Sequence, residues 1–216
     1  MPGDLLTQNK TPYLKIFRGQ LVQSVDHNTP NARYRAYELK DGAKGEKWEL
    51  VYKNWGGVVQ GITFKDTDYG EMCHIAFEDA VLVVSTSSRY FSDIAAKLMN
   101  VDLGQPVSIS PYDFETEDGK KKTGVSLTQG GEKVGSVYWK DGKLSPDFPQ
   151  VDQVKKEKMK ANYWKVYFAE VEAFLIEELT KKAQSIVPSQ KPATVEVLAM
   201  PEGFTVEDET PEDFPF

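Results

Sequence analysis

The chain holds one cysteine, Cys73, and two histidines, His27 and His74, and it has no apolar run near the roughly 18 residues that a membrane-spanning helix needs. A single cysteine excludes an internal disulfide and a thiolate metal cluster, and it suits a reducing compartment, so the cytoplasm is expected. Met1-Pro2-Gly3-Asp4 lacks the basic and then apolar plan of an export signal, so none is expected. Hydrolytic chemistry has little to work with. His27 stands in the turn-like HNTPN, and His74 follows Cys73 on an expected strand, where neighbouring side chains point to opposite faces and cannot pair as nucleophile and base. CxxC, HExxH, GxGxxG and GxxxxGK patterns are missing, and the short acidic stretch from Asp66 to Asp68 reads as a hairpin turn. The expectation is a non-enzyme with no catalytic residues, metal or cofactor.

An overall basic excess is missing too, since the net charge is −7. The deficit is local. Residues 1–150 carry 18 Lys and Arg against 20 Asp and Glu, residues 151–186 carry 7 against 6, and residues 187–216 carry 1 against 7. Six of the seven net negative charges therefore fall in the last thirty residues, and the acidity says nothing about the region before them.

What is present is mostly strand pattern. Tyr13–Val25 alternates as one long first strand with a bend at Gly19, and residues 33–40 and 46–53 form a hairpin around 41–45. Residues 58–65 and 71–78 form another pair, residues 81–85 are a continuous apolar run, and residues 106–114, 124–129 and 133–139 are three more strands. Between Ser88 and Gly104, Phe91, Ile94, Ala95 and Leu98 recur at helical spacing behind the capping residues Ser88 and Ser92. One short helix between strands is the connectivity of an OB-fold barrel. The expected architecture is therefore mainly β: a barrel with an extra hairpin over residues 1–150, a long helix from Asp152 to Ile186 in a segment ending at 187, and a linker with an acidic tail over 188–216. The helix shows a broad apolar face, so it is expected to pack partly on the barrel and partly on another copy.

In the first hairpin basic and aromatic residues alternate onto a common surface, with cations to follow phosphates and rings on which bases stack. The expected nucleic-acid-binding set is Arg33, Arg35, Tyr37, Lys47, Trp48, Tyr52, Lys53 and Trp55, extended by Lys65, Arg89, Tyr112 and the run Lys120, Lys121 and Lys122. Tyr37, Trp48, Tyr52 and Trp55 could equally be core or cross-strand pairs. At the other end, Glu212, Asp213, Phe214, Pro215 and Phe216 join acids, rings and a terminal carboxylate, a combination suited to capture in a basic-rimmed pocket of a partner.

A barrel followed by this tail resembles the single-stranded DNA-binding proteins of bacteria and their phages, whose bacterial members end in acidic residues followed by Ile-Pro-Phe. Pro215-Phe216 match that end, Glu212 and Asp213 match its acids, and Phe214 replaces the isoleucine. Over residues 10–140 the resemblance is one of pattern. It implies coating of single-stranded DNA in replication, recombination or repair, recruitment of replication or recombination proteins through the tail, and self-association or cooperative coating. Bacterial members join barrel to tail by a Gly/Gln/Pro-rich segment, whereas here the long helix intervenes, a departure that points to a phage type acting in the host cytoplasm and away from the bacterial tetramer. The competing reading is a protein-interaction barrel or an assembly subunit with no nucleic-acid role.

Overall fold

In the computed structural model, residues 11–38 and 44–186 are described; the expected tail contacts at Glu212–Phe216 lie outside them. Strands β1 (Tyr13–Phe17), β2 (Gln20–Val25), β3 (Arg33–Glu38), β4 (Lys44–Tyr52), β5 (Trp55–Gly57), β6 (Gly61–Thr67), β7 (Gly70–Ala76) and β8 (Val81–Ser85) precede helix α1 (Arg89–Leu98). After it come β9 (Val107–Glu115), β10 (Lys121–Gln129), β11 (Glu132–Val134), β12 (Trp139–Lys140), β13 (Lys143–Leu144), α2 (Gln153–Met159) and α3 (Ala161–Ala183). The protein is mainly β, and α1 begins where its cap predicts: the Ser88 hydroxyl accepts the Phe91 N–H at 3.2 Å. No described helix is long and apolar enough to cross a membrane.

The strands form a seven-stranded sheet in the order β3-β4-β2-β1-β8-β7-β6, a four-stranded sheet β11-β10-β9-β5, and the small pair β12-β13. In the large sheet β1 runs parallel to β8 and the other pairings are antiparallel. Strand alternation sends Leu14, Leu21, Ile62, Cys73, Ile75, Leu82 and Val84 to one face, where they meet Tyr90, Phe91, Ile94 and Leu98 of α1 and Ile109, Val125 and Leu127 of the second sheet in one core. Cys73 is therefore core, and burial pushes its thiol far above the ordinary range, while His74 faces the opposite side of the sheet.

Four expectations change. The barrel does not close, because the β3–β4 hairpin occupies the free edge of β2 and leaves β3 and β6 as separate outer strands. The long first strand is a hairpin: Arg18 (φ 46°) and Gly19 (φ 71°) make a two-residue turn with positive φ at both positions, the type whose twist suits flanking strands. The last expected strand keeps residues 132–134 as β11 and places Trp139 in the separate pair. The helix from Asp152 to Ile186 breaks at Lys160 (φ 50°). α2 buries no residue, so packing does not hold it in line with α3, and the turn lets the Asp152 N–H donate to the Tyr163 hydroxyl at 2.7 Å.

α3 itself belongs to the main core. Tyr163, Tyr167, Val171, Leu175 and Leu179 recur every four residues and are buried with the strands and α1. The Lys182 ammonium donates to the Met99 carbonyl at 3.1 Å, tying the end of α3 to the end of α1. Leu175, 1 % exposed, is the cleanest test of this integration. Leu175→Ala is expected to cost about 2–5 kcal/mol in denaturant unfolding, and cutting the chain after Gln150 is expected to give an unfolded or aggregating product. A stable, soluble truncation would show that α3 is an appendage.

Candidate nucleic-acid interface

The β3–β4 register sets Arg33 against Glu49, Arg35 against Lys47 and Tyr37 against Gly45, so these residues share the sheet face opposite the core. Pairings through β2 bring Lys15 and Phe17 of β1 to the same face. There the side chains interlock. The Arg35 guanidinium lies 4.2 Å over the Phe17 ring and 5.9 Å from the Tyr37 centroid, Lys47 sits 4.6 Å over Tyr37, and Arg18 lies 5.1 Å over Phe17.

At the centre of this face is a carboxylate. Glu49 is 3 % exposed and accepts both Arg35 Nε–H and Nη2–H at 2.9 Å, with Lys15 Nζ at 3.8 Å. Burial pushes its carboxyl up, but the Arg35 hydrogen bonds and the positive charges of Arg35, Lys15 and Lys47 outweigh that and hold it below its ordinary value. Glu49 holds the guanidinium over the Phe17 ring, and the surrounding Lys15, Arg18, Arg33, Arg35 and Lys47 leave the face positive.

The β1–β2 turn carries this surface towards the second sheet. Gly19 backs directly onto Tyr112 and Asp113 of β9, where a side-chain carbon would collide with main chain, and its N–H donates to the Tyr90 hydroxyl at 3.0 Å. Beyond Asp113 the β9–β10 hairpin projects the expected lysines. Lys121 pairs with Asp113 at 3.3 Å and Lys120 with Asp118 at 2.9 Å, while Lys122 is set opposite Phe114, which is 51 % exposed and 5.7 Å from the Tyr112 ring. Two of the three lysines thus face acids of their own hairpin.

Other expected residues lie elsewhere. Trp48 projects to the reverse face beside the half-exposed Tyr34, 5.4 Å away. Tyr52 and Trp55 meet edge to face at 4.9 Å against the main core, and the Trp55 indole donates to Asp79 at 3.3 Å. Lys53 is exposed just past β4. Lys65 shares the outer face but lies on the far edge strand, near His74, which burial and that lysine hold down at about 4. Arg89 and Tyr112 line a separate cavity between α1 and α3. Sequence reading missed Lys15, Phe17, Arg18 and Phe114; the alternation in YLKIF already places Lys15 and Phe17 on one face, but their neighbours become visible only with the strand order. Comparison with family models, curated proteins and solved structures finds no match for this chain.

Because the folded-state pKa of Glu49 lies below its unfolded value, it contributes stability above the unfolded value of 4.5, and that contribution fades as pH falls through the lower folded value. Glu49→Gln is expected to cost about 3 kcal/mol near pH 7, the low end for breaking a buried pair since the amide keeps one acceptor. The gap between wild type and variant in thermal melts should narrow steadily below about pH 4.5. A gap independent of pH would show that Glu49 is not charged in the folded state.

Proposed function

We propose that this chain binds single-stranded DNA without sequence preference, as a non-catalytic accessory of replication, recombination or repair that recruits other proteins through its acidic tail. The observation that carries the reading is the group of Phe17, Arg18, Arg35, Tyr37 and Lys47, in which cations sit over rings on one open sheet face. Single strands require this combination: charges track the phosphates and flat rings take bases at about 1–3 kcal/mol each. OB-type connectivity around α1 is part of the proposal, supported by a short helix that follows the β6–β8 meander and precedes the β9–β10 hairpin. A phage setting rests on the tail ending Phe214-Pro215-Phe216 beyond an intervening helix.

Arg35 and Lys15 share one carboxylate, so they count for less than their charge. With Arg18, Arg33, Lys47 and Lys122 as the main phosphate contacts, log affinity for oligo(dT) should fall against log salt with a slope of about −3. Tyr37→Ala should weaken binding by about 5- to 150-fold, the range for one lost base stack. Absence of a gel shift with oligo(dT), or an affinity indifferent to salt, would overturn the proposal. Deleting residues 207–216 should leave DNA binding intact or tighter, since the tail's acids lower the positive potential around the domain, an effect felt most at low salt. Phe216→Ala alone should abolish capture of replication proteins; undiminished capture would remove the tail from that role.

A further inference from the structure

A cavity of about 650 Å³ lies between α1 and α3, on a different part of the molecule from the Arg35–Tyr37 group. Its walls come from residues that helical spacing sets in line, Arg89 and Asp93 one turn apart on α1 and Lys165, Phe168 and Glu172 over two turns of α3, and from the aromatic segment around Tyr138, Trp139 and Phe148. That volume suits a ligand of several ring-sized groups, and the wall chemistry is apolar and aromatic with charges at a few points. The Asp93 carboxylate is occupied by Lys97 at 2.7 Å and by the Val125 N–H at 2.6 Å. Lys165, exposed at the rim, supplies a cation beside Arg89, and Glu172 supplies an acceptor.

We propose that this cavity is the docking site of the chain's own C-terminal Phe214-Pro215-Phe216. Two rings and a proline match aromatic walls, and the terminal carboxylate matches Arg89 or Lys165. A peptide end also brings backbone N–H donors that Glu172 accepts; a DNA strand would instead bring phosphate to that carboxylate. The acids just before the tip have a counterpart as well. Lys155, Lys156, Lys158 and Lys160 crowd α2 and its end, and this basic stretch abuts the cavity wall: Lys156 Nζ lies 5.1 Å over the Trp164 ring, which stacks at 5.9 Å on Phe168.

Length permits the contact. From Glu172 to Ile186 is about 20 Å at 1.5 Å per helical residue, and the thirty residues beyond Ile186 span about 30 Å in root-mean-square terms even as a random coil. Tethering over that span gives an effective concentration of millimolar order, so an interaction too weak to see between separate molecules fills the site within one chain. A partner that takes the tail must then compete with the cavity for it.

The test uses the full chain with a benzophenone side chain in place of Phe216 and ultraviolet irradiation without DNA. The expected product is a link within one chain, mapping to peptides that cover residues 136–148 or 165–172. Links between chains, links to the β3–β4 face, or no link would overturn the proposal. Two exposed wall residues supply variants that leave the core intact. Ala169→Trp, which fills the space, and Lys165→Glu, which reverses its charge, should each cut the link at least tenfold while circular dichroism stays unchanged. An undiminished link in both would also overturn it. The result is independent of the DNA-binding proposal, because a chain that fails to shift oligo(dT) can still form the link and one that shifts it can fail to.

Discussion

A helix side chain completes the edge of a strand, and much of the arrangement depends on it. In the β9–β10 register Val125 lies opposite Pro111, which has no N–H, and β11 reaches only residues 127–129 of β10. The outward N–H of Val125 is satisfied by the Asp93 carboxylate, and its carbonyl accepts from the Lys97 ammonium, which also pairs with Asp93. One ion pair one turn apart on α1 thus replaces a missing neighbour strand. The consequence is positional. α1 is packed in the main core, so the second sheet is held at a fixed place relative to the large one, and the β9–β10 hairpin comes to lie against the β1–β2 turn.

That placement lets a single surface be built from elements far apart in the chain. Arg18 and Phe17 sit at the turn, Arg35 and Tyr37 arrive from β3, Lys47 from β4, and Asp113 and Lys121 from the second sheet. Glu49 is the constraint within it. A buried carboxylate among several cations costs desolvation, and its two hydrogen bonds to Arg35 offset that cost. In exchange the guanidinium is held at 4.2 Å over the Phe17 ring. A rigid ring-and-cation stack loses less entropy on binding a flexible strand than loose lysines do.

How far the sequence is legible follows from the range of the interactions. Local signals succeed: the Ser88 cap, the α1 stripe, the β8 apolar run and the hairpins β3–β4, β6–β7 and β9–β10 are all where period and turn chemistry place them. Alternation also separates Cys73 from His74 correctly. What fails depends on pairing between distant strands. Nothing in residues 13–25 reveals that β2 gives its outer edge to β4, which leaves the barrel open. Helix-forming residues run through Lys160 without marking the break, and the only local sign of it is that the buried stripe starts at Tyr163 while α2 carries charges where a continuing helix would need buried contacts. In the candidate site, alternation along β3 puts Arg33, Arg35 and Tyr37 on one face, whereas register divides Trp48, Tyr52 and Trp55 between the reverse face and the core.

The open edge bears on function as well as architecture. Among the described residues β3 is an outer strand, and an outer strand with unpaired backbone groups invites pairing with another chain. Here it alternates RYRAYE: Arg33 and Arg35 on one face, Tyr34 on the other. Charge along an edge opposes pairing with a second copy of itself, since two such strands would bring like cations together. The same cations are compatible with a polyanion. Among the described residues, an edge strand whose two arginines share one face has a built-in obstacle to pairing with its own copies, and the sheet ends there instead of closing on β6.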